Sequence, residues 1–129
     1  MTPARYNAFC SALAHATHVR QWGNADVWKI GGKVFAIGGW NAADVAGDSP
    51  NAFLSVTFKC SDISYDLLRQ QDGCRPAPYL ASRGMTWIQR TSRASLDDAG
   101  LEAYLRESYR LASLNLTKKL QQELGLNQS

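Results

Sequence analysis

Gly31-Gly32 stands between two β-type runs, V-W-K-I before it and K-V-F-A-I after it, and no other feature constrains the chain as much. Two successive residues free to take φ > 0 are what a two-residue type I′ turn requires, so the pair folds the runs into an antiparallel hairpin. The pairing that follows sets Ile30 against Lys33, Lys29 against Val34 and Trp28 against Phe35. Opposed residues share a face, which sends Lys29 and Lys33 to opposite faces of the tip. The stretch is not a phosphate loop. The pattern G-x-x-x-x-G-K-[ST] fails at Val27, where its first glycine belongs, and at Val34, where its metal-binding hydroxyl belongs. Nor do Gly31, Gly32, Gly38 and Gly39 form the dinucleotide pattern G-x-G-x-x-G.

The rest of the chain extends this hairpin into a sheet with helices. Thr2-Pro3 reads as an N-cap and first helical position, with Tyr6, Phe9, Cys10 and Leu13 on one stripe. Residues 18–22, 26–30 and 33–37 form a three-stranded meander, and residues 41–51 form a loop. Residues 52–60 alternate, with Leu54, Val56, Phe58 and Cys60 on one face and Ser55, Thr57 and Lys59 on the other. Ser61 or Asp62 caps a short helix with Ile63, Leu67 and Leu68 inward. The prolines of Arg75-Pro76-Ala77-Pro78 forbid regular helix, and residues 86–90 give a further strand. Ser95-Leu96-Asp97-Asp98 starts the longest helix, whose outward face pairs Glu102, Arg106 and Arg110 at i, i+4. Residues 117–124 form a last helix, closed by Gly125.

A chain of 129 residues is of the size of one domain, so residues 1–129 are expected to form a single unit. No run reaches the roughly 18 apolar residues of a membrane span, and the first residues lack the apolar stretch of a signal peptide. Cys10, Cys60 and Cys74 are odd in number and contain no C-x-x-C, which favours a reducing, cytoplasmic setting. His15 and His18 find no further ligand at motif distance, so neither metal nor cofactor is expected. There is no G-x-S-x-G. Asp97 and Asp98 are explained by the helix dipole, and the cysteines by core packing. The expectation is a protein without enzymatic activity.

Charge is segregated along the chain. Residues 27–43 carry two lysines and no acid, and residues 73–96 carry Arg75, Arg83, Arg90 and Arg93 and no acid. The remaining eight basic residues stand against all eleven acids, a net of −3 outside the two stretches. Trp28, Trp40 and Trp87 lie in or beside them. Local basic surface of this kind suits a phosphate backbone. The candidate nucleic-acid contacts are therefore Lys29, Lys33, Arg75, Arg83, Trp87, Arg90 and Arg93.

The successive blocks D-V-W-K-I-G-G-K-V-F-A, V-T-F-K-C-S-D, L-L-R-Q-Q-D-G-C-R-P-A-P-Y-L-A-S-R-G-M-T-W-I and S-Y-R-L-A resemble the MmcQ/YjbR family of small bacterial proteins. The resemblance implies an α+β fold related to frataxin-like and secretion-chaperone-like domains: an antiparallel sheet with an N-terminal helix, a middle helix and a long C-terminal helix. It also implies a double-wing shape and DNA binding. The family's strand lysine falls on Lys59, its R-P step on Arg75-Pro76 and its late tryptophan on Trp87. The loop at 41–50 and the helix carrying Lys118-Lys119 depart from the pattern. Two functions are expected in order: weak, sequence-tolerant binding of double-stranded DNA through two basic wings, or an adaptor that binds another protein.

Overall fold

A computed structural model describes residues 1–39, 53–78, 80 and 84–128. In chain order the elements are α1 (Pro3–Ser11), β1 (Ala16–Gln21), β2 (Ala25–Ile30), β3 (Lys33–Gly38), β4 (Val56–Lys59), α2 (Asp62–Leu68), β5 (Cys74–Pro76), β6 (Trp87–Arg90), α3 (Asp98–Ser113) and α4 (Lys118–Leu124). The six strands form one antiparallel sheet in the order β1-β2-β3-β4-β6-β5. The architecture is the expected α+β one. The expected loop at 41–51 lies wholly outside the described residues.

Local chemistry sets the helix starts. Thr2, Ser61, Asp97 and Thr117 each accept a hydrogen bond from a backbone N–H three residues on, which satisfies a donor the helix cannot. The cap of α3 is thus Asp97, two residues later than a box starting at Ser95 would have it. Helices α1 and α3 cover one face of the sheet. There Tyr6, Ile30, Phe35, Phe58, Ile88, Leu101 and Leu105 are fully buried. Leu54, Val56, Phe58 and Cys60 all enter this core, as their alternation requires. Gly38 admits the Tyr6 ring, because a Cβ there would stand 2.5 Å from it.

The hairpin forms as its sequence dictates. Gly31 and Gly32 have φ of 56° and 86°, Ile30 pairs with Lys33, and Lys29 pairs with Val34. The next pair corrects the simple register. Trp28 opposes Ala36, not Phe35, because a β-bulge interrupts the ladder between Trp28 and Lys29. The bulge lets Phe35 and Ala36, adjacent in sequence, both reach the helix-side core.

One reading of the sequence is corrected in α2. Only Leu68 of α2 is buried; Ile63 and Leu67 are 83% and 55% exposed. The stripe is apolar, but no element packs on it among the described residues. Arg75-Pro76, whose proline rules out helix, belongs to the three-residue edge strand Cys74–Pro76, a position where a missing N–H is tolerated.

Candidate binding face

The face of the sheet away from α3 follows from the register. Lys29 and Val34 are paired on it, as are Val27 and Ile37, Thr57 and Gln89, Lys59 and Trp87, and Gln89 and Arg75. Near its centre, Ala25, Val27 and Ile37 form a second small buried cluster with Val34 and Leu80 against it. Gln89, fully buried, donates to Thr57 Oγ1 at 3.3 Å and accepts from Arg75 Nε and Nη2 at 2.9 and 2.6 Å. A neutral amide therefore fixes the exposed guanidinium without cancelling its charge. The strands carry a single acid, Asp26, and it serves the other face, bonding His18 Nε2 at 2.8 Å and Arg20 Nε at 3.5 Å. Among the described residues none of Lys29, Lys33, Lys59 and Arg75 has an ion-pair partner.

A groove of ≈ 550 Å³ opens on this face. Its origin is a split in the sheet. The β3–β4 ladder ends at Ala36–Phe58, and beyond it the Ser108 hydroxyl of α3 enters between the strands. It donates to Phe35 O at 2.6 Å and accepts from Lys59 N at 2.9 Å. One hydroxyl thus satisfies a carbonyl freed by the bulge and an amide freed by the divergence. Ala112 and Asn115, which follow Ser108 at i+4 and i+7 on one helix face, line the groove through the gap. Ile37, Val34 and Trp87 form its walls, Trp22, Leu80 and Met85 border it, and Lys33 and Lys59 supply its charge. The Trp87 indole N–H is buried without a hydrogen-bond partner among the described residues.

The structure separates the residues that the sequence grouped. Lys29, Lys33, Arg75 and Trp87 belong to this face or its groove. Trp87 is only 6% exposed, so it presents an edge in a wall and offers no open stacking platform. Arg83 and Trp40 lie outside the described residues. Arg90 is excluded as a phosphate contact: it is fully buried under the other face, where Nη2 reaches Asp98 Oδ1 at 2.9 Å and Nη1 donates to Leu96 O. Arg93 goes the same way, bonding Asp98 Oδ1 at 3.3 Å and lying, like Arg90, over the Phe53 ring. Trp28 is a core residue whose indole N–H donates to Asn7 Oδ1. Lys59 was the omission. Its place opposite Phe58 and Cys60 in the alternating run already assigned it to the outer face.

Asp98 collects the cations of the helix side. Its carboxylate meets the Met1 amine at 2.9 Å, Arg90 at 2.9 Å, Arg93 at 3.3 Å and Arg5 at 3.5 Å. Burial by itself raises its pKa, but the hydrogen bonds from the Met1 amine and Arg90 outweigh this and hold the carboxyl far below the usual carboxylate range. Glu102 bonds Arg5, not Arg106, and Arg110 pairs with Glu107; Arg106 lies over the Phe9 ring. All three cysteines are buried. Burial pushes the Cys60 thiol to about 11, helped by nearby Asp62, and raises Cys10 and Cys74 as well, so the thiols are packing groups. Among the described residues no three His, Cys, Asp or Glu side chains gather as metal ligands, and no helix is long and apolar enough to cross a membrane.

Residues 11–111 match the family model YjbR. The crystal structure of Deinococcus radiodurans protein DR2400, a DUF419 domain, superposes with a TM-score of 0.78 at 22% identity, covering 99% of this chain and 91% of that one. A structural-genomics target from Pseudomonas syringae gives 0.65 at 14% identity, covering 87% and 99%. At such identities the likeness speaks for the fold alone. No curated protein matches the chain.

Proposed function

The chain belongs to the YjbR family, and from that premise we propose that it is a non-enzymatic, cytoplasmic nucleic-acid-binding module whose outer sheet face rests on the backbone of double-stranded DNA. One observation carries the reading. Lys29, Lys59 and Arg75 come from separate parts of the sheet to a face whose strands hold no acid turned towards it, and Lys33, paired with core-facing Ile30 at the hairpin tip, joins them from the rim of the groove. Arg90, Arg93 and Arg110, by contrast, are already paired. In this reading the basic surface is one face with the rim of its groove, in place of two separate wings.

Such a face contacts phosphate and reads few bases, so binding is weak and sequence-tolerant, with a Kd on the order of 10⁻⁴ to 10⁻⁶ M near physiological salt. Four neutralised phosphates at roughly −0.9 each give a log–log salt slope of about −3.6. Fluorescence anisotropy of a labelled short duplex across a salt series measures it. Changing Lys29, Lys33, Lys59 and Arg75 together to glutamine is expected to abolish the slope, whereas Arg106→Gln, on the helix side, leaves it unchanged. Equal loss in both variants, or no binding at low salt, rejects the reading.

The exposed apolar pair Ile63 and Leu67 favours a second function, that of an adaptor for another protein. The two residues lie one helical turn apart on α2 and offer a helix-in-groove anchor. If duplex binding fails while a partner recovered from cells is lost with Ile63→Ser/Leu67→Ser, this reading replaces the first.

A further inference from the structure

The groove in the split sheet differs chemically from the phosphate-binding face around it. Its lining is mostly apolar, from Val34, Ile37, Leu80, Met85, Trp87 and Ala112. A duplex backbone has no group to fill such a space, and its ≈ 550 Å³ falls in the range of pockets that enclose small organic ligands, about 300–1,000 Å³. The polar groups are few and nearly all of one kind. Lys33 and Lys59 are cations with no ion-pair partner among the described residues. The Trp87 N–H is a buried donor without an acceptor among the described residues. Asn115 alone offers a side-chain acceptor. A buried donor left unmatched costs about 1–3 kcal/mol, and two lysines at the edge of an apolar groove favour one negative charge over none.

We propose that this groove is a binding site for a small organic carboxylate with a flat or branched apolar body. The carboxylate lies with Lys33 and Lys59, and the body runs along Val34, Ile37 and Trp87 towards Leu80 and Met85. Charge complementarity selects an anion, and the apolar walls select one whose charge is confined to one end. A sugar phosphate or an inorganic anion leaves those walls uncovered. The split supplies the depth: the sheet has no continuous β3–β4 ladder here, so the ligand's floor is the Ala112 methyl of α3.

The test is isothermal titration calorimetry with 2-naphthoate and, separately, octanoate, against 2-naphthamide and inorganic phosphate. At least one carboxylate is expected to bind with a single site, and naphthamide and phosphate roughly tenfold or more weaker, as the loss of a charge-assisted hydrogen bond implies. Lys33→Gln and Lys59→Gln each weaken the carboxylate several-fold. Ala112→Leu fills the floor and abolishes binding; should that variant not fold, the two lysine variants decide. Lys29→Gln/Arg75→Gln leaves carboxylate affinity unchanged while it weakens the duplex, so failure of this site and failure of the DNA reading are separable. Absence of binding by both carboxylates, naphthamide binding as tightly as naphthoate, or indifference to both lysine changes overturns the proposal.

Discussion

At the residue scale the two hairpin glycines look alike in sequence and differ in the structure. Both have positive φ, which costs an L-residue roughly 1–2 kcal/mol. A Cβ on Gly32 meets open space, whereas one on Gly31 would stand 2.8 Å from both methyl groups of Leu116. Gly32→Ala is therefore expected to cost about 1–2 kcal/mol, and Gly31→Ala more, measured by urea unfolding. Equal losses would show that Leu116 moves aside freely. Arg90 teaches the opposite lesson about legibility. Charge summed along the chain groups it with the candidate phosphate contacts, although the alternation W-I-Q-R places Arg90 with Ile88 on the core face and Trp87 with Gln89 on the other. Its partner Asp98 has a depressed pKa, so its stabilisation is complete above the unfolded carboxylate value of about 3.9 and is lost as pH falls below it towards the folded value. Asp98→Asn leaves a fully buried guanidinium without its anion, at a cost of about 3 kcal/mol at pH 7. The variant is also expected to show a shallower fall of Tm between pH 5 and 2 than the parent, measured by circular dichroism.

At the element scale, the strands and helices with their own punctuation were legible, and those defined by a neighbour were not. Gly31-Gly32, the alternation of 54–60, the cap Thr2 and the closing Gly125 act within a few residues. The bulge at Phe35 does not, because V-F-A-I is apolar throughout and fits either register; Ser108, 73 residues away, accounts for the freed carbonyl. The apolar stripe of α2 has the same ambiguity. Periodicity shows that Ile63 and Leu67 share a face, but not that anything covers it. Since both are exposed, Ile63→Ser and Leu67→Ser are expected to change stability by less than about 0.5 kcal/mol, whereas Leu68→Ala, in the core, costs about 2–5 kcal/mol. Urea midpoints of the three variants settle whether α2 is anchored by one side chain. The candidate site was half legible for the same reason: Lys29, Lys33 and Arg75 are near turns or ends that the sequence marks, while the groove exists only because α3 parts β3 from β4.

At the scale of the molecule, the charge segregation seen along the sequence becomes a segregation between faces. On the helix side, Asp98, Glu102 and Glu107 hold Met1, Arg5, Arg90, Arg93 and Arg110 in ion pairs. On the outer side and the rim of its groove, Lys29, Lys33, Lys59 and Arg75 repel one another, with no ion-pair partner among the described residues. A ligand that neutralises them binds the folded protein and not the unfolded chain, in which the four are dispersed, so it must raise thermal stability. Free duplex at tenfold its Kd contributes about 1.4 kcal/mol, from RT ln(1 + [L]/Kd). For a chain of 129 residues this is a rise in Tm of about 3–8 °C. The rise is expected to shrink towards zero as salt displaces the duplex, and to vanish in the variant with Lys29, Lys33, Lys59 and Arg75 changed to glutamine. That variant alone, free of the mutual repulsion, is expected to melt no lower than the parent at low salt. Differential scanning calorimetry at two salt concentrations, with and without duplex, reads all four quantities. A duplex that leaves Tm unmoved at low salt, or moves parent and variant alike, shows that the outer cations are not where nucleic acid rests.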